Sequence, residues 1–195
     1  MTSSSSSRTP LLVGLLLATL MAATRSHHVA DLTHLPDASW AVFFLAGFYL
    51  PTLAFGGLLA LAALIDYVAI TWGGVSSFCV SPAYGFLLPA YGALWLAGRR
   101  FDDAYFASWQ ALMPLLTNLL LGAVLCELIS SGAFYFFSGR YVDPNLIGFG
   151  TRLLRYFPFS LQALLMYVGA AALIHLLVIS LQLRQTRRQL PGQHG

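Results

Sequence analysis

The sequence predicts an all-α integral membrane protein, a single domain of six transmembrane helices. Three observations carry this. Only 9% of the 195 residues are charged and 58% are hydrophobic, whereas soluble domains carry roughly 25% charged residues. The mean hydropathy of +0.74 means more apolar surface than a soluble core of this size can hide. The apolar runs are also long and continuous, unlike the strands of an outer-membrane barrel, which alternate over about 10 residues.

Charge and cysteine content narrow the function. All ten basic residues are Arg, the formal net charge is only +3, and the Arg residues lie at the ends of apolar runs. That pattern describes topology and ligand anchors, not a nucleic-acid footprint. Two cysteines are too few for a disulfide framework, and no C-x-x-C pattern occurs. A single Cys79–Cys126 bridge is compatible with the sequence.

Residues 1–9 are polar and Ser-rich, and read as a disordered start. Residues 10–23 are apolar. They suit either a signal peptide, with Arg8 ahead and Ala22 and Ala23 near a cleavage site, or a retained first helix reaching about residue 29, which is preferred. Gly14, Ala18 and Ala22 recur every four residues and put three small side chains on one helix face, as close helix packing in lipid requires. Residues 24–37 form a polar loop holding His27, His28 and His34. Asp37 or Ser39 can cap the next helix.

Residues 38–50 are apolar and aromatic, and Pro51 follows at once. Residues 52–71 form a second run. Two helices joined tightly at Pro51 are expected, with one long kinked helix as the alternative. A polar, Gly-bearing loop at about 72–82 leads to Pro82, which suits a helix first turn. Residues 83–98 make the fourth span, with a kink expected at Pro89. Arg99, Arg100, Asp102 and Asp103 form a charged turn, and Asp102 or Asp103 can cap the fifth helix. Residues 104–137 are longer than the roughly 30 Å hydrocarbon core needs, so a tilt, a projection or a break near Pro114 or Gly132 is expected. Residues 138–151 read as a Gly/Pro/Asn loop, followed by Arg152 and Arg155. The last span is expected at 157–183, closed by Arg184, Arg187 and Arg188, with residues 186–195 as a cytoplasmic tail.

Six spans put both termini on one side. That side holds Arg8, Arg99, Arg100, Arg184, Arg187 and Arg188, and the other holds Arg25, Arg140, Arg152 and Arg155. The positive-inside rule places both termini in the cytoplasm. The loops at 24–37, 72–82 and 138–156 then face outward, and a binding site among them follows.

The chemistry concentrates in residues 66–85, D-Y-V-A-I-T-W-G-G-V-S-S-F-C-V-S-P-A-Y-G. Cys79 offers a soft sulfur ligand and a nucleophile in a polar loop after a Gly-Gly pair. An inert cysteine is the plain alternative. Cys126 lies in an apolar run and reads as core. Asp66 is an intramembrane carboxylate, costly unless it faces a cavity or a partner; a ligand contact and an ion pair with an Arg both satisfy it. Glu127 follows the same logic. Tyr84 offers a ring and a hydroxyl. Arg152 and Arg155 suit oxygen clamping or interfacial anchoring. Adjacent His27 and His28 are a weak zinc signal, and His175 reads as a hydrogen-bonding histidine within a span. No nucleotide-binding or hydrolase motif occurs, so the chain carries no ATP site.

A chain of this length, with six spans and no nucleotide site, is similar to the substrate-binding S-components of energy-coupling-factor (ECF) vitamin transporters. W-G-G-V-S-S-F-C-V-S-P-A-Y-G, with Asp66 before it and Arg152 after it, resembles the BtuM family of S-component-like vitamin B12 transporters of Gram-negative bacteria. The resemblance implies the S-component fold, an inner-membrane location and a cobalamin site facing the periplasm. It implies Cys79 as axial ligand to the corrin cobalt, with Asp66, Tyr84 and Arg152 around the corrinoid. One step further, if the vitamin arrives as cyanocobalamin, Cys79 is expected to displace the cyanide or to help remove it reductively. The face of Gly14, Ala18 and Ala22 resembles the A-x-x-x-A face that contacts a coupling module, with Gly14 a departure; family members also act without such a module. The rival readings are a carrier of another vitamin with Cys79 incidental, a membrane thiol redox or sensor protein using Cys79 and Cys126, and a structural subunit with a cleaved leader.

Overall fold

The computed structural model describes residues 8–25, 35–74, 76–77, 81–101 and 112–189. The expected sites Cys79, His27, His28 and His34, and the expected caps Asp102 and Asp103, lie outside the described residues. Among the described residues there are six α-helices: α1 (Arg8–Arg25), α2 (Ser39–Tyr49), α3 (Leu53–Thr71), α4 (Leu87–Arg99), α5 (Leu112–Phe137) and α6 (Leu146–Gln189). A 3-10 turn, Pro82–Phe86, precedes α4. There is no strand among the described residues. Three helical stretches are long and apolar enough to cross a membrane: Leu53–Thr71, Leu112–Phe137 and Leu146–Gln182. The helices Thr9–Arg25 and Ser39–Tyr49 are apolar but shorter.

Each boundary has a local cause. Thr24 at the end of α1 accepts a hydrogen bond from the Ala38 amide (3.1 Å), which ties the end of α1 to the start of α2. Asp37 Oδ1 accepts from the Ser39 amide (2.9 Å), taking up one of the amides that a helix start leaves unpaired. Pro51 separates α2 from α3, since it has no amide to continue the helical ladder. At the same junction Arg99 donates to the Leu50 carbonyl (2.9 Å), satisfying an orphan group at the end of α2. A kink is expected at Pro89. Pro89 is the third residue of α4, where a missing amide breaks no intrahelical bond. α5 is described from Leu112 and runs unbroken past Pro114 and through Gly132 to Phe137.

The largest departure is α6. Residues 146–156, expected as loop, are helical, and the helix continues to Gln189 with Pro158 inside it. Its 44 residues make a rod of about 66 Å, twice the roughly 30 Å hydrocarbon core. The Asn145 side chain accepts from the Gly148 amide (2.9 Å), which starts the helix. Gly148 serves packing and not a turn, because a Cβ there would meet the Tyr135 hydroxyl at 2.5 Å.

The core centres on α4, which packs chiefly against α2 and α5. Glycine makes the approach between α2 and α4 possible. A Cβ on Gly98 would fall on the Phe44 carbonyl oxygen, and one on Gly47 on the Trp95 carbonyl oxygen. Without a hydrophobic drive between helices in lipid, such close backbone contact supplies much of the association. Gly98→Ala therefore has to part α2 from α4. We expect a loss of about 1–3 kcal/mol, the usual range for overpacking, read as a lower melting temperature in detergent. Gly56→Ala is the control, since its Cβ would meet nothing within 4 Å.

Candidate functional site

One end of the bundle gathers the end of α1, the start of α2, the last third of α3, the 3-10 turn and the first half of α4. Phe86 stacks on Phe137 (5.9 Å between centroids), which brings the end of α5 to the same place. At the opposite end lie Leu50, Arg99 and the Tyr49–His175 pair, whose Tyr49 hydroxyl and His175 Nδ1 are 2.9 Å apart.

Arg25, the last residue of α1, organises the first end. Its Nε donates to Asp66 Oδ1 (2.7 Å) and its Nη2 to Asp66 Oδ2 (2.8 Å). This two-pronged pairing suits the planar guanidinium. Its Nη1 donates to the Ser39 hydroxyl (2.8 Å) and the Tyr91 hydroxyl (2.9 Å). Four helices, α1 to α4, are thus joined through one side chain. The Ser39 hydroxyl passes the chain of hydrogen bonds on to Asp37 Oδ1 (2.7 Å). Tyr91 is held from behind by Phe43, stacked at 4.3 Å.

Asp66 accepts a third bond, from the Tyr84 hydroxyl to Oδ2 (2.7 Å). Two of the expected site residues, Asp66 and Tyr84, are therefore brought into direct contact. The Arg reading of Asp66 is the one seen: it pairs with Arg25, and its two partners Arg25 and Tyr84 both line a cavity. That cavity measures about 210 Å³, with Arg25, Tyr84 and Tyr91 as its polar groups and Leu59, Leu87 and Leu88 among its apolar ones. Such a site offers a guanidinium, two phenols and an apolar lining, with the Asp66 carboxylate bonded to Arg25 and Tyr84. It can position a ligand through hydrogen bonds without exposing a bare charge to lipid.

Arg152 stands in a separate set of contacts. Its guanidinium lies over the rings of Tyr141 (4.8 Å), Tyr156 (5.2 Å) and Tyr135 (5.9 Å). It sits on the second turn of α6 and not in a loop. Glu127 is buried in α5 and accepts from the Ser131 hydroxyl (2.7 Å). Cys126 is a fully buried free thiol, as expected of a core residue.

The side of Gly14 faces the chain's own bundle, since a Cβ there would meet Leu50 at 3.7 Å, and Ala18 packs against the core. The residues that sequence reasoning missed are Arg25, Ser39 and Tyr91. A signal for Arg25 existed: it is a cation at the end of an apolar run, and Asp66 is a carboxylate near the end of another. For Tyr91, in the middle of an apolar run, there was none. No family model and no curated protein matches the chain.

Proposed function

We propose that this chain binds cobalamin in the membrane and carries it inward, with Cys79 as axial thiolate on the corrin cobalt. The observation that supports this best is the bond between Asp66 and Tyr84 at one end of the bundle. Cys79 lies between those two residues in the sequence, and the bond joins the end of α3 to the 3-10 turn on either side of it. Asp66 and Tyr84 offer hydrogen-bonding groups to the corrin rim, and Arg25 holds Asp66 in place. A cavity of about 210 Å³ is below the roughly 300–1,000 Å³ of drug-sized sites. The macrocycle accordingly lies over the mouth, with one edge amide reaching in.

In this reading the chain is an S-component-like fold with six spans in the inner membrane. Both termini are cytoplasmic and the Asp66 end faces the periplasm. Arg25, Tyr84 and Phe137 share that end, while Arg99 and Arg100 mark the other. Cyanocobalamin is processed by ligand exchange. The thiolate sulfur donates an electron pair to Co(III), a Co–S bond forms, and the Co–C bond breaks with cyanide leaving on its own pair. Cobalt stays Co(III) and no reductant is consumed. Transport proceeds alone or with an ATP-driven coupling module.

The test in cells is growth of a strain that lacks its own B12 import and depends on the vitamin. Expression of this chain is expected to restore growth at low cobalamin, and Asp66→Ala to reduce it. Growth that stays absent at membrane levels of protein equal to a working importer would reject cobalamin transport and favour a carrier of another vitamin.

A further inference from the structure

The α5–α6 end holds an arginine pair, Arg152 and Arg155, with contacts separate from the Arg25 network. Arg152 carries five N–H donors. Among the described residues none of them makes a hydrogen bond, and its contacts are the faces of three tyrosine rings. Arg25 in the same molecule spends four donors on Asp66, Ser39 and Tyr91. The difference is not one of exposure, since Arg152 is itself half-buried. The three rings come from different places: Tyr135 from α5, Tyr141 from the connection, and Tyr156 from α6. They surround the guanidinium with ring faces, and its N–H groups have no hydrogen-bond partner among the described residues. Arg155, one turn further along α6, lies over the Tyr156 ring at 5.7 Å and has no hydrogen bond among the described residues either. Glu127 is within Coulombic reach of Arg152. It is not in contact with it, and its hydrogen bond goes to Ser131.

A half-buried cation held by aromatic faces is preorganised to take a bidentate oxyanion on its edge. Two guanidinium groups one helical turn apart suit the several oxygens of a tetrahedral anion better than the two of a carboxylate. We propose that Arg152 and Arg155 form a phosphate-recognition site, with Tyr135, Tyr141 and Tyr156 as positioning residues. The phosphate comes either from a soluble ligand or from an anionic lipid headgroup. The site stands on its own geometry and does not require that the chain bind cobalamin.

The test is arginine modification by phenylglyoxal on the purified full chain in neutral detergent, mapped residue by residue by mass spectrometry. Inorganic phosphate and dihexanoyl-phosphatidylglycerol are compared with sodium chloride at matched ionic strength. Arg184, exposed near the far end of α6, is the internal control. One or both phosphate compounds are expected to slow modification of Arg152 and Arg155 several-fold and to leave Arg184 unchanged. Protection by inorganic phosphate identifies a site for a soluble phosphate group; protection by the lipid alone identifies a headgroup site. Tyr141→Leu should remove the protection and Tyr141→Phe retain it, because the ring and not the hydroxyl holds the guanidinium. Equal reactivity in chloride and in both phosphate compounds would overturn the proposal. So would protection that extends equally to Arg184.

Discussion

Arg25→Met is expected to cost on the order of 3 kcal/mol of stability, the range for breaking a buried ion pair by removing one partner. The side chains of Arg25 and Asp66 are 8% and 24% exposed. Removing the guanidinium leaves the Asp66 carboxylate with one hydrogen bond, from Tyr84, and takes donors from Ser39 and Tyr91 as well. Unmet charge in such surroundings is the costly outcome, more than loss of the pair itself. Arg25→Met/Asp66→Asn should therefore lose less than the sum of the two single changes, because it removes the orphaned charge. Thermal unfolding in detergent of the four proteins of this cycle gives the coupling. Additive losses would show that the pair is not coupled. Arg25→Lys should recover only part of the loss, since an ammonium cannot present the same fork to Asp66, Ser39 and Tyr91 together.

Cys79→Ala is expected to abolish sulfur ligation of cobalt while leaving the bundle intact. The Arg25 network, the glycine contacts between α2 and α4, and the α5–α6 aromatic cluster all stand without it. Amide and hydroxyl contacts at the rim orient a corrinoid, but they offer no electron pair soft enough to replace cyanide on the metal. Cyanide release from cyanocobalamin should then fall to the rate without protein, measured with a cyanide electrode. Cys79→Ser should behave as Cys79→Ala, since a neutral hydroxyl is a far poorer ligand than a thiolate. Cys79→His should allow metal ligation through nitrogen without thiolate chemistry. Cyanide release at an unchanged rate in Cys79→Ala would remove the cysteine from the mechanism. Cys126 offers no substitute, being fully buried in α5.

The all-helical, membrane-suited character was legible because it rests on composition and run length, which tertiary structure does not alter. The separation of α2 from α3 was legible from Pro51 alone. The start of α6 was not. Pro144, Asn145, Gly148 and Gly150 carry turn signals, yet Asn145 serves as a cap and Gly148 makes room for the Tyr135 hydroxyl. Both are helix-compatible uses of turn-type residues, and only the packed neighbour decides between them. Pro89 is a related case: it lies in the first turn of α4, where proline costs little. Asp66 and Tyr84 were found from depth and position. Their contact with each other, and the role of Arg25 in holding it, depend on four helices meeting at one end, which no local pattern encodes.

The most direct measurement of the central claim is the absorption spectrum of the detergent-purified protein after incubation with cyanocobalamin and removal of free vitamin. Wild type and Cys79→Ala are measured side by side. The account predicts a retained corrinoid whose bands are displaced from those of the free vitamin in wild type, and no displacement in Cys79→Ala. A corrinoid retained with the same undisplaced spectrum in both proteins would contradict thiolate ligation, and no retained corrinoid in wild type would contradict cobalamin binding itself.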